Sequence, residues 1–305
     1  MSTYLVTGGC GFIGSHLAET LIANGHQVRI LDNLSTGKFE NKAAAAEFML
    51  GDVADVETVR QAMAGVDGCF HLAAVPSVER SNRDWLGTHR TNLTGAITVF
   101  DAARTNARQA PVVYASSAAV YGNNSNLPLT EEAATHPLSA YGADKLGCEQ
   151  QAFVAGHVHG VPTCGLRFFN VYGPRQDPAS PYSGVISIFC NRLRSSQNIT
   201  IYGDGLQTRD FIFVQDVIQA LIAAMMKASH QAPVYNVCTG RATTILSLVD
   251  VIAGLLNLPA NAEHAAARPG DIRRSFGDPS RACSGLGFEA QTDLRIGLSA
   301  TIDAI

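Results

Sequence analysis

The chain has 305 residues, 46% of them hydrophobic and 16% charged, with a net charge of −4. This length and composition describe a globular protein with a sizeable core, in one large or two smaller domains, and exclude a disordered chain. The mildly acidic balance removes any electrostatic case for nucleic acid or a membrane surface, and no uncharged apolar run approaches the ~20 residues of a membrane span.

In chain order, Tyr4 to Val6 is a short apolar run that reads as a buried strand. Gly8, Gly11 and Gly14 follow at a spacing of three, and Ile13, Leu17, Leu21 and Ile22 then recur at helical spacing. A strand, a glycine turn and a helix form the context in which a glycine pattern holds phosphate. The first glycine allows the tight turn, the second lets backbone approach a pyrophosphate, and the third lets the helix pack on the strand. The free amides of the first helical turn, at Phe12 and Ile13, would face the phosphates. The opening strand carries no signal-peptide pattern, so a cytoplasmic location is expected.

Gln27 to Leu31 reads as the second strand and ends at Asp32, 18 residues beyond Gly14. That offset suits a carboxylate on a ribose 2′-hydroxyl, which favours NAD over NADP; the alternative is a solvated turn aspartate. Asn33, Ser35, Gly37 and Lys38 form a polar loop on the adenosine side, and Lys38 leaves some use of NADP open. Phe48 to Leu50 reads as the third strand, followed by Asp52 and Val53. Asp52 can accept a hydrogen bond from the adenine amine, cap the helix predicted over 55–63, or do both. Cys69 to Ala73 reads as the fourth strand, with His71 a satisfied core histidine, Ala73 and Ala74 a side-chain-poor crossing under a cofactor, and Leu72 beside them a further cofactor contact. The spacing predicts a helix over 84–105 with Leu93, Ile97 and Phe100 inward, and with Asn92 a polar residue at a core position beside the cofactor site. Val112 to Ala115 reads as the fifth strand. This alternation predicts a doubly wound parallel sheet.

The compositional break near 172–184 marks where the chain leaves the cofactor domain, giving residues 1–173 to the cofactor and 174–305 mainly to the substrate, with some segments returning to the sheet. After the break, helices are predicted over 185–195, 215–228 and 244–256, strands over 199–202, 210–213 and 234–237, and short terminal helices over 278–285 and 292–304. Seven cysteines are scattered singly without a Cys-x-x-Cys. They fit neither a disulfide frame nor a zinc site, so no metal is expected, and they read as small buried residues of a reducing compartment.

A second motif is Tyr141-Gly-Ala-Asp-Lys145. Tyrosine and lysine four apart share one helical face, and Ser139 can cap that helix. An ammonium beside a phenol stabilises the phenolate, which makes a tyrosine a usable general base near neutral pH. Upstream, Ser116 and Ser117 end the fifth strand. There a hydroxyl can reach the substrate oxygen that the tyrosine deprotonates, and Ser116 adjoins the cofactor.

With the glycine turn, Asp32, the serine pair and Tyr-x-x-x-Lys in this order, the chain resembles the extended short-chain dehydrogenases/reductases. Within them it is similar to the nucleotide-sugar 4-epimerase group, which includes UDP-glucose and UDP-N-acetylglucosamine 4-epimerases, over essentially its whole length. The resemblance implies a Rossmann-type α/β fold with a smaller C-terminal substrate lobe, NAD as cofactor, a UDP-sugar substrate, and a homodimer formed by helices near 90–105 and 141–157, with Val99 and Phe153 at the interface. It implies that Ser117, Tyr141 and Lys145 are catalytic. Arg167-Phe168-Phe169-Asn170 resembles the segment linking cofactor and sugar, with Phe168 near the nicotinamide and Asn170 on the diphosphate. Thr208-Arg209-Asp210-Phe211 and Arg268-Pro269-Gly270-Asp271 resemble the segments that hold diphosphate (Arg209, Arg268) and uridine ribose (Asp271). Val185 and Tyr202 are further expected substrate contacts. A diphosphate calls for arginine forks and a ribose diol for a carboxylate.

Two departures bear on the reaction. Dehydratases of the superfamily place Asp-Glu after the catalytic serine or threonine, where this chain has Ala118-Ala119. Ser275 stands at the group's gate beside the hexose 2-substituent, where tyrosine closes the pocket to N-acetyl groups. A serine leaves room, which points to UDP-N-acetylglucosamine, with UDP-glucose also admitted. The implied reaction takes the 4-hydroxyl proton to Tyr141 and the C4 hydride to NAD, turns the 4-keto sugar, and returns hydride to the other face. The alternatives are a UDP-glucose 4-epimerase, a nucleotide-sugar dehydratase or reductase, and a catalytically silent NAD-binding protein.

Overall fold

The computed structural model describes residues 1–107, 109–177, 184–267 and 272–304. Strand β1 (Thr3–Thr7) turns through glycines into helix α1 (Phe12–Ala23), and β2 (Gln27–Asp32), β3 (Glu47–Leu50) and α2 (Val56–Met63) follow. Next come β4 (Gly68–His71), short helices α3 (Val78–Arg83) and α4 (Trp85–His89), a π-helical turn over Arg90–Thr94, α5 (Gly95–Thr105) and β5 (Val112–Ser117). The 20-residue α6 (Ala140–His159) leads into β6 (Thr163–Phe168).

β1 to β6 lie in one parallel sheet of order β3-β2-β1-β4-β5-β6, completed beyond β6 by a seventh strand, β11 (Val234–Val237). Both faces are covered, so the strands are apolar without alternation. In β1, Leu5 packs with Val59, Val99, Phe100 and Ala152 on one face, while its neighbour Val6 packs with Leu17, Leu21, Ile218 and Leu221 on the other. The strand order reverses between β1 and β4, which opens the crevice where such sheets bind ligands.

Past β6 the chain builds a second lobe. It comprises β7 (Asn170–Tyr172), α7 (Val185–Arg194), β8 (Ile199–Tyr202), β9 (Thr208–Arg209), β10 (Phe211–Phe213), β12 (Thr243–Thr244), α9 (Ile245–Leu256) and β13 (Ala262–Ala265). Phe189, Leu193, Ile201, Leu248 and Ile252 form its core. Helix α8 (Val214–Met225) returns to pack on α1, and β11 then joins the sheet. α10 (Ser280–Leu286) and α11 (Leu294–Asp303) close the described chain.

Three expectations are corrected here. Ile97 points outward at 41% exposure, and the buried stripe of α5 is Ala96, Val99, Phe100 and Ala103. Small residues line that side because α5 packs against both α2 and α6. For the same reason Val99, expected at a dimer interface, is fully buried inside its own chain, whereas Phe153 is 55% exposed. The cap of α2 is Asp55, which accepts from the Thr58 amide, and not Asp52. Six of the seven cysteines are buried and none is paired. Among the described residues no helix is long and apolar enough to cross a membrane.

Candidate active site

The glycine turn sits at the crevice. Gly8 has a φ of +72°, and a Cβ there would lie 2.8 Å from the Ala73 nitrogen. A Cβ on Gly14 would lie 2.1 Å from the Gly8 oxygen, so the helix can approach the strand only as glycine. Gly11 is the N-cap of α1 and offers no side-chain cap, and the first turn, with Phe12 and Ile13, carries no acidic residue. The first-turn amides are thus left to an external anion. This cradle fits the diphosphate of a dinucleotide.

Asp32 ends β2 at 7% exposure, so it is not a solvated turn residue. Its carboxylate accepts from the Cys10 amide at 2.9 Å and the Leu34 amide at 2.8 Å, leaving further lone pairs for a ribose diol. The 33–37 loop closes around it. The Ser35 amide donates to Asn33 Oδ1, and a Cβ on Gly37 would lie 3.0 Å from Asp32 Oδ2. Asp52 accepts from the Ala54 amide at 2.9 Å and pairs with Arg90 at 3.3 Å, beside buried Val53. Leu72 and Ala73 donate to the Thr7 carbonyl and hydroxyl, which carries the crossing, with half-buried Ala74 next, beneath the turn. Asn92 is buried, and its carboxamide is committed to both backbone groups of Val75. His71 bonds Thr7 Oγ1 at 2.8 Å. Burial, seconded by the Lys145 charge, lowers its pKa to about 3, so it stays neutral as a core residue.

Ser139 caps α6 by accepting from the Gly142 amide, and Ser81 on α3 accepts from the Tyr141 amide at 3.1 Å. Lys145, only 4% exposed, donates to the Ala115 carbonyl at 2.9 Å, and its Nζ lies 5.8 Å from the Tyr141 ring centre. Ser117, half-buried at the end of β5, accepts from the Ala119 amide at 3.1 Å, which leaves its proton for another acceptor. Ser117 ends β5, and Tyr141 and Lys145 stand on α6, whose Lys145 is bonded two residues before Ser117 on the same strand. The hydroxyl of Ser116, expected at the cofactor, is instead committed to Glu149 at 2.5 Å.

The residues expected on the substrate side lie at the end of β6 and in the second lobe. Phe168 pairs in register with Ser117. Exposed Asn170 opens β7, half-buried Val185 opens α7, and Tyr202 ends β8 at 38% exposure. Arg209 donates to the Thr208 and Ile272 carbonyls at 2.8 and 2.7 Å, which fastens the 272–275 segment to β9. The Ser275 amide donates to the Thr208 carbonyl at 3.2 Å, and Ser275 is half-buried. Arg268 and Asp271 lie outside the described residues. Sequence spacing assigns no role to Asp210. Fully buried, it accepts from the Thr239 amide and hydroxyl and from the Gly240 amide, all within 2.9 Å, and burial raises its pKa. It stood beside Arg209 in the same motif, but nothing in the sequence shows which loop folds around it.

The model of the NAD dependent epimerase/dehydratase family matches residues 4–238. The chain belongs to this family. NAD is accordingly its cofactor, and the glycine turn with Asp32 is where the chain can hold it. The family member from Mycolicibacterium smegmatis, a UDP-glucose 4-epimerase, is 36% identical over 305 residues, spanning 98% of this chain and 97% of its own. The UDP-glucose 4-epimerase of Thermotoga maritima, solved with UDP-glucose, superposes with a TM-score of 0.95 at 34% identity over 99% of this chain and 98% of its own. The UDP-N-acetylglucosamine 4-epimerase of Methanobrevibacter ruminantium M1, solved with UDP-N-acetylmuramic acid, superposes at 0.94 with 35% identity over 99% and 97%.

Proposed function

We propose that this nucleotide-sugar 4-epimerase interconverts UDP-N-acetylglucosamine and UDP-N-acetylgalactosamine. The observation that carries the choice of sugar is that residue 275, which the family resemblance puts at the gate beside the hexose 2-substituent, is a small serine. The M. ruminantium enzyme, which shares the fold across its length, supports the reading. A second reading, UDP-glucose and UDP-galactose, draws equal support from the M. smegmatis and T. maritima relatives. Dehydration is disfavoured because Ala118 and Ala119 place no acid after Ser117.

In this reading residues 1–173 serve mainly the cofactor and 174–305 mainly the sugar nucleotide. NAD, when bound, supplies the hydride acceptor for C4. Tyr141 takes the proton from the 4-hydroxyl, Lys145 stabilises its phenolate, and Ser117 donates to the same oxygen. Arg209 and Arg268 hold the diphosphate and Asp271 the ribose, so that the oxidised hexose can turn without leaving. The assembly we infer is a homodimer across α5 and α6, where Ile97, Phe153, Val154 and Val158 are exposed.

The test is to incubate the purified protein with UDP-N-acetylglucosamine and, separately, UDP-glucose, without added NAD, and to separate the products. Formation of UDP-N-acetylgalactosamine supports the reading. Conversion of UDP-glucose alone would move the substrate to the second reading.

A further inference from the structure

Behind the catalytic groups lies a buried charged cluster that the proposed chemistry does not use. Glu149 and Arg167 form an ion pair with side chains 7% exposed, Nε to Oε1 at 2.9 Å and Nη2 to Oε2 at 2.7 Å. Glu149 Oε1 also accepts from the Ser116 hydroxyl, and Arg167 Nη1 donates to the Tyr121 hydroxyl at 2.9 Å and the Glu131 carbonyl at 3.1 Å. The Tyr121 hydroxyl donates in turn to Asn236 of β11 at 2.6 Å.

We propose that Glu149 and Arg167 are positioning residues that set Ser117 against Tyr141 and Lys145. Their placement supports this in three ways. Glu149 lies four residues past Lys145 and eight past Tyr141, on the same face of α6. That face is fastened to β5 at two successive residues, by Lys145 on the Ala115 carbonyl and by Glu149 on Ser116. Ser116 and Arg167 are also register partners on neighbouring strands, so the Glu149 carboxylate spans both. Finally, Arg167 holds Tyr121, the last residue of the 3-10 turn Ala118–Tyr121 that follows Ser117. Ser117 is thus gripped on both sides, through Ser116 before it and Tyr121 after it.

Stability alone is a poor reason for such a pair. Buried ion pairs barely recover their desolvation cost, and apolar replacements of similar volume are often neutral or stabilising. The geometry the pair imposes on the serine loop is what an apolar core would not supply.

This inference rests on the epimerase reading for its kinetic arm only. The test compares the wild-type holoenzyme with two variants, Ser116→Ala and the double variant Glu149→Leu with Arg167→Met, on whichever UDP-hexose the wild type converts. The expected result is a fall in kcat on the order of 10- to 100-fold, with KM, NAD content and melting temperature close to wild type. Amide hydrogen exchange over 118–121, read without substrate, should quicken by about tenfold or more while the rest of the sheet is unchanged. Unchanged exchange, an unchanged kcat, or a kcat loss matched by the loss of folded protein overturns the proposal. Should the double variant fail to fold, Ser116→Ala decides alone. A wild-type enzyme that turns over no UDP-hexose strikes the reaction reading, and the exchange arm still decides the positioning.

Discussion

Replacing Gly14 with alanine tests the phosphate cradle at its tightest point. The new Cβ would stand 2.1 Å from the Gly8 oxygen and 2.9 Å from both the Gly8 carbonyl carbon and the Gly9 Cα. An ordinary contact, at 3.4 Å or more, is at least about 1.3 Å longer than the first of these. Every atom met is backbone, so no side chain can swing aside. Gly8 cannot retreat either, because its own far side abuts the Ala73 backbone and its φ is +72°. Overpacking typically costs about 1–3 kcal/mol, and two opposed backbone segments put this case near the upper end. If the turn yields, the amides of α1 move off the diphosphate, and ~3 kcal/mol corresponds to about a hundredfold in NAD affinity. If the helix yields, the same cost falls on the melting temperature. The assay is NAD titration with thermal unfolding of the same preparations, with Gly254→Ala beside it. A Cβ at Gly254, on the exposed side of α9, meets nothing within 4 Å, so alanine there should stabilise by up to ~1 kcal/mol. A Gly14→Ala protein with wild-type NAD affinity and wild-type melting temperature would mean that the cradle does not depend on glycine at position 14.

Three further expectations follow from the site. Tyr141→Phe should lower turnover by about 10²–10⁴-fold while leaving UDP-sugar affinity largely intact, read by steady-state kinetics and calorimetry; near-wild-type turnover would remove Tyr141 as the base. Ser275→Tyr should cut conversion of UDP-N-acetylglucosamine by about tenfold or more while sparing UDP-glucose, and equal loss on both sugars would deny the gate. His71 makes the fold acid-sensitive. Below pH ~6.5 the unfolded chain binds a proton that the folded His71 refuses until about pH 3, so stability falls as pH drops through that window. His71→Asn should therefore shrink the stability difference between pH 6.5 and 4.5 in urea melts by about 2 kcal/mol, and an unchanged slope would contradict the assignment.

What the sequence displayed was mostly local. Gly8, Gly11 and Gly14 stand within one turn, Tyr141 and Lys145 within one helical face, and Asp32 at the end of an apolar run, so spacing alone brought each group to its partners. Contacts set by register were hidden. Nothing in the chain announces that Arg167 pairs across strands with Ser116, or that Glu149 reaches both. Strand β6, a short buried run after Gly160, and β13, whose partner is β8, escaped for similar reasons. Ile97 was misplaced because bulk reads as core, while the close packing of α5 selects small residues such as Ala96 and Ala103 for the inner face. Asp210 was visible as a residue and not as a site, since the loop amides that enclose it arrive from 239–240.

Epimerisation through a transient 4-keto sugar is tested by a label at C4. UDP-N-acetylglucosamine deuterated at C4, or UDP-glucose so labelled if that is the sugar converted, is incubated with the protein, and the product is read by NMR. The expected product is the 4-epimer with deuterium still on C4, because the hydride removed there is returned there. Deuterium lost to water, or found at C6 of a 4-keto-6-deoxy sugar, would contradict that return.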